Sequence, residues 1–145
     1  MEYNKSIDQS DVLYDVNYTT WKVAKCRVTD PQMQSESQTD SENDRWFNRQ
    51  YETAIDHIKS RLRAYIIPTE EMGDFHFSFP EGWRGNVFSL MTYIHRYIVD
   101  YILYEWFKMT MPNEAATYLT SADAWEYKAI LEARNEDVSN VFFRL

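Results

Sequence analysis

Between residues 86 and 110 the chain carries large apolar or aromatic side chains at most positions. Val87, Met91, Ile94, Ile98, Tyr101, Ile102 and Met109 recur at helical spacing, and Tyr93, Tyr97, Leu103, Tyr104, Trp106 and Phe107 fill much of the rest. Only Ser89, Thr92, Arg96 and Asp100 form a polar stripe, which ends before the last two turns. A helix apolar almost all round needs cover almost all round, from its own fold or from neighbouring subunits. The pattern predicts the central helix of a small α-rich domain that assembles.

A second stripe, Phe47, Tyr51, Ala54, Ile55, Ile58, Leu62, Tyr65 and Ile66, opposes Arg45, Arg49, Glu52, Asp56, Lys59 and Arg63. Ser41 and Asp44 are spaced like a capping box, which starts this helix near 41–44, and Pro68 stops it. Phe75, Phe77 and Phe79 then alternate with His76 and Ser78, a strand ended by Pro80 and Gly82. Its expected partner is the segment 138–145 or a strand of another subunit. Pro112 restarts a helix on which Ala115, Tyr118, Leu119, Ala122, Trp125, Ala129 and Ala133 line one side, so 86–110 and 112–134 form an antiparallel hairpin.

The first part of the chain is less decided. Residues 1–9 read as frayed. Over 10–28, Val12, Leu13, Val16, Val23 and Ala24 favour helix with Ser10 as N-cap, whereas Tyr18, Thr19, Thr20 and Trp21 favour strand. One broken helix or two short ones is the expectation. Residues 29–44 hold one apolar side chain, Met33, and read as a polar mobile loop. Residues 136–145 read as an extended tail. The sum is a single mainly α domain over 1–145: a small helical bundle with a long central helix, an antiparallel helical hairpin and one or two short β-strands.

Composition narrows the function more than the fold. The net charge is −8, with acid concentrated in 1–44 and 68–85 and a basic excess only in 45–67. Such a chain repels phosphate backbones, so sequence-specific nucleic-acid binding is not expected. Cys26 is the one cysteine, which excludes an internal disulfide and fits a reducing compartment. The start, MEYNKSIDQSD, has no basic or apolar region of a signal peptide. Arg96, Asp100, Glu105 and Lys108 argue against a membrane-spanning reading of 86–110. An aromatic content of 17% leaves rings for an interface as well as a core.

No reactive constellation is encoded. His57, His76 and His95 have no His or Cys partner at helical spacing, so no metal pair is expected. Gly82-Trp83-Arg84-Gly85 reads as a turn into a helix and no phosphate loop is present. Cys26, between Lys25 and Arg27, reads as an inert buried thiol, with a depressed thiol pKa as the alternative. Glu105 is out of place, on the apolar side of the long helix near its C-terminus. It is read first as a charge paired with a Lys or Arg of another helix or subunit, then as an exposed end, and last as an acid–base group. Trp83, Tyr93, Trp106, Phe107, Phe142 and Phe143 are the candidate core or interface anchors. No enzyme and no cofactor is expected.

The order of elements carries a resemblance. An acidic Thr39-Asp40-Ser41-Glu42 run leads into an amphipathic helix. A Phe-rich strand follows, then an aromatic helix ending Trp106-Phe107-Lys108, a Pro112-Asn113-Glu114-Ala115-Ala116 restart with Tyr118, and an extended tail. Over about residues 39–135 this resembles small structural proteins of Bacteroides-type phages and prophages. It is similar in element order to the head–tail connector (adaptor) proteins of long-tailed phages. The resemblance implies a non-enzymatic virion protein, assembled in the bacterial host cytoplasm as a ring between portal and tail and packing on other virion proteins. The tail here lacks a basic run, so contact with DNA in the channel is not implied. The alternative is a cellular α-helical partner-binding or regulatory module.

Overall fold

A computed structural model describes residues 1–27 and 43–135, and the side chains of the first segment as far as Val23. The expectations placed on Cys26, Ser41, residues 29–42, the tail 136–145, Phe142 and Phe143 lie outside the described residues or side chains. Among the described residues are four helices and a three-stranded antiparallel sheet, the mainly α bundle expected from the pattern.

The sheet is β1 (Glu2–Ser6), β2 (Ile66–Ile67) and β3 (Asp74–Ser78), in the order β1-β3-β2. Glu2 pairs with Ser78 and Ser6 with Asp74 along one edge of β3, while Ile66 pairs with Phe77 on the other. One expectation is thereby corrected. Residues 1–9 are not frayed, because Tyr3 packs against the Phe79 and Trp83 rings and Ile7 is buried. Among the described residues β3 pairs with β1 and β2; the expected partner 138–145 lies outside them. The phenylalanine alternation holds: Phe75, Phe77 and Phe79 are buried and stack in file, and Phe79 lies flat on Trp83 at 3.8 Å between ring centres.

Helix α1 (Gln9–Arg27) is continuous rather than broken. Val12, Val16 and Thr20 are fully buried at successive turns, and that stripe overrides the strand preference of Thr19-Thr20-Trp21. Its cap is Asp8, not Ser10: the Asp8 carboxylate accepts from the Ser10 backbone N–H at 2.9 Å and the Ser10 hydroxyl at 2.6 Å.

Helix α2 (Asp44–Arg61) buries Phe47, Tyr51, Ala54, Ile55 and Ile58 as its periodicity predicts. It stops earlier than Pro68 alone would require. Leu62 donates to both Ile58 and Lys59, a 3₁₀ turn (Arg63–Tyr65) follows, and Ile66 is drawn into the sheet opposite Phe77. Tyr65 and Ile66 therefore leave the helical stripe to which their spacing assigned them.

Helices α3 (Val87–Phe107) and α4 (Pro112–Ala133) form the expected hairpin. Asn86 caps α3 by accepting from Ser89 N–H at 3.0 Å. On α4, Ala115, Ala122 and Ala129 recur every seven residues and are buried, so the two helix backbones can approach closely. Leu119 of the predicted apolar side is instead 39% exposed, and Met109 lies beyond α3 at 83%. Contacts from α1, α2 and α4 bury Leu90, Ile94, Tyr97, Ile98, Val99, Ile102, Leu103 and Phe107. The cover that the sequence demanded for this helix comes largely from its own chain.

The 83–86 loop is clamped to the end of α4. Trp83 Nε1 donates to the Glu132 carbonyl at 3.1 Å, Arg84 N–H to the Asn135 carbonyl at 2.7 Å and Asn86 N–H to the Glu132 carboxylate at 2.6 Å. A Cβ on Gly85 would lie 2.5 Å from the Glu132 carbonyl and run into the Trp83 ring. Gly85→Ala is therefore expected to destabilise the fold by about 1–3 kcal/mol, as overpacking does elsewhere. Urea unfolding of the variant against wild type measures it.

Candidate functional site

A groove of about 850 Å³ opens between three helices. Its floor is the outer side of α3, with Phe88, Met91 and His95 on successive turns and Arg96 beside His95. One wall is α1, through Asp11, Asp15 and Tyr18, and the other is α4, through Ser121 and Trp125. The end of β1 and Asp8 close it at the start of α1. The groove exists because α1 and α4 each pack on α3 from a different side.

Its polar groups pair across helices. His95 Nε2 lies 2.6 Å from Asp15 Oδ2, and the Ser121 hydroxyl donates to Asp100 at 2.5 Å. Asp100 also takes a hydrogen bond from Trp125. Burial pushes the Asp100 carboxyl above its ordinary 3.8, against those two hydrogen bonds and the Arg96 charge, which pull it down. Hydrogen bonds from Ser10 hold Asp8 below its ordinary value. Trp125 is held in place by Tyr93 stacked on it at 5.8 Å and by the cations of Arg96 and Lys128 at 5.1 and 4.6 Å. In this arrangement imidazole and hydroxyl each face a carboxylate rather than one another. It organises a surface of fixed charge and rings rather than a nucleophile beside its base.

The other histidines lie apart. His57 Nε2 is 3.0 Å from Glu126, which also binds Arg61 Nε at 2.9 Å, and His76 Nε2 is 3.4 Å from Glu2. Among the described residues no three His, Cys, Asp or Glu side chains converge in a way that could hold a metal ion.

Glu105 is paired, but by its own helix end. Lys108 Nζ reaches it at 2.6 Å and Tyr101 donates to it, so the cation expected from another helix or subunit is three residues away in sequence. The i, i+3 spacing was the available signal. The carboxylates that meet histidines are Glu2, Asp15 and Glu126, not Glu105.

Of the anchor candidates, Trp83 and Phe107 are 6% and 1% exposed inside the fold. Tyr93 packs half-buried on Trp125 and Trp106 half-buried on Trp46 at 5.3 Å. The exposed rings are others. Tyr14, Tyr18 and Trp21 lie along one side of α1, and Phe88 begins α3. Their i, i+4, i+7 spacing was readable as a second helix face, but the competing strand preference of the same residues obscured it.

No protein-family model matches this chain, and neither a curated protein nor a solved structure matches it. Among the described residues no helix is long and apolar enough to cross a membrane.

The raised Asp100 pKa fixes a sign. The folded state holds that proton more tightly than the unfolded chain, so this carboxyl lowers stability as pH rises through and above 3.8. Asp100→Asn is therefore expected to gain melting temperature relative to wild type between acid and neutral pH. Thermal unfolding of both proteins across that range measures the difference.

Proposed function

We propose that this chain is a non-catalytic docking protein whose particular role is virion assembly, as a head–tail adaptor or neck component packing against identical subunits and other virion proteins. The observation that carries the docking reading is the α1 face. Tyr14, Tyr18 and Trp21 are 69%, 51% and 44% exposed, and Phe88, which lines the groove with Tyr18, is 71% exposed. Single exposed apolar side chains are ordinary, whereas three rings in file along one helix, Tyr14, Tyr18 and Trp21, support a contact surface. The narrower virion reading rests on element order, and its place of assembly is the bacterial host cytoplasm.

Self-burial of α3 changes the route of assembly. Cover of the central helix no longer supplies a reason for a ring, so subunits would meet through the α1 face. The concavity of that face also favours a second reading, a cellular module that captures a partner helix. Portal and capsid genes beside its own would favour the first.

Sedimentation velocity over a concentration series, alone and with the products of neighbouring genes, tests the docking reading. Association is expected in wild type, and Tyr14→Ser with Tyr18→Ser is expected to weaken it about tenfold or more, as loss of aromatic anchors does. A wild-type chain that stays monomeric in every mixture, or association indifferent to both changes, would overturn it.

A further inference from the structure

We infer that α1 pairs antiparallel with α1 of a second copy of this chain about a two-fold axis, an inference that rests on the docking reading above and names its partner. Val12, Val16 and Thr20 are buried along one side of α1. The opposite side presents Asp11, at the rim of the groove, then Tyr14, Tyr18 and Lys22, all exposed. Acid thus stands in the first turn and base toward the other end, with the stacked Tyr14 and Tyr18 rings between them. In sequence Asp8 adds to the acidic end and Lys25 and Arg27 to the basic one. Read in reverse, such a stripe carries the opposite charge at each end, so it complements itself when two copies run antiparallel. The helix dipole alone favours acid first and base last. It gives no reason for exposed rings between the two, and a self-complementary contact does.

Asp11 and Lys22 are the charges that the fold leaves over on this helix. Asp8 is taken up by Ser10 and Asp15 by His95. Among the described residues neither Asp11 nor Lys22 has a partner of opposite charge, and the Lys22 ammonium rests 5.7 Å from the centre of the Tyr18 ring. The two residues stand about 16 Å apart along the helix. With their midpoint on the axis, each Asp11 comes level with the partner's Lys22. Each Tyr14 then lies within one residue's rise, about 1.5 Å, of the level of the partner's Tyr18. Four tyrosine rings gather about the axis between two ion pairs. The net charge of −8 on each copy opposes approach from afar, but physiological salt screens it beyond about 8 Å, whereas the pairs act at contact. Tyr14, Tyr18 and Trp21 together expose roughly 350 Å² of ring, against about 800 Å² per partner in a standard interface, so the dimer is weak and reversible. A two-fold contact closes at two copies, so any ring of subunits would use a further surface.

Charge exchange tests the pairing, read by sedimentation velocity of the full chain over a concentration series. Wild type is expected to show a reversible monomer–dimer equilibrium. Asp11→Lys and Lys22→Asp, each alone, set like charges against one another at both ends of the antiparallel pair and are each expected to weaken dimerisation about tenfold or more. Asp11→Lys also lowers the net negative charge, so repulsion between whole chains would give the opposite sign. Both changes in one chain restore dimerisation, because each lysine at 11 then opposes an aspartate at 22. An equimolar mixture of the two single variants dimerises for the same reason. Circular dichroism confirms that each variant is folded.

Dimerisation indifferent to the single changes, or not restored by the double change, overturns the antiparallel pairing. So does a wild-type chain that stays monomeric alone and associates only with the product of a neighbouring gene. In each of these cases association that still depends on Tyr14 and Tyr18 leaves the docking reading standing. Association that depends on neither the charges nor the tyrosines removes both.

Discussion

The seam between α3 and α4 is the constraint on which the rest of the molecule depends. Ala115, Ala122 and Ala129 put little bulk between the two helices, and Tyr118 and Trp125 of α4 pack on Phe107 and Tyr93 of α3 beside them. The hairpin is fixed at both ends: Phe107 stacks on Tyr118 beside the turn, and the 83–86 loop holds the far end of α4 by three hydrogen bonds to Glu132 and Asn135. Close approach on that side leaves the remaining faces of α3 to α1, α2 and the sheet. Ile94, Ile98 and Ile102, at i, i+4 and i+8, are fully buried as a result.

The sheet is small, but it decides where α1 can begin. β3 presents Phe75, Phe77 and Phe79 to the core and needs hydrogen-bonding partners on both sides. β1 supplies one, and the backbone bond from Ile7 N–H to the Gly73 carbonyl at 2.8 Å carries the pairing to the point where Asp8 caps α1. The side chain of Gln9 then bonds Asn48 on α2. The start of α1 is thus located by the strand before it, and its course along α3 follows.

Legibility in the sequence followed the breadth of each buried face. α2, α3 and α4 have wide or regular apolar faces with clear stops at Pro112 and strong caps such as Asn86, and their course was readable. α1 buries only a narrow stripe, Val12, Val16 and Thr20, one member of which is polar. Exposed rings beside that stripe gave a mixed signal, which a helix with one broad hydrophobic face does not give. β1 was missed for a related reason. Its alternation of Tyr3, Lys5 and Ile7 contains a charge, whose ammonium lies over the Phe88 ring. The groove could not be read at all from spacing, since Asp15, His95 and Ser121 come from three helices and meet only through the packing of two of them on the third.

The narrowness of α1's buried stripe also bears on function. A helix that exists only to complete a core would present polar groups outward, as α2 does with Arg45, Arg49, Glu52 and Asp56. α1 instead turns Tyr14, Tyr18 and Trp21 outward while its acidic residues face the groove. Tyr14 stacks on Tyr18 and Lys22 lies over the Tyr18 ring, but rings left in solvent also raise the tendency to associate. The contact surface proposed above would give them a use, because rings supply binding area at little cost in side-chain entropy. The helix that looks most in need of a partner is thus satisfied internally, and the helix with the narrowest buried stripe is the one that carries exposed rings.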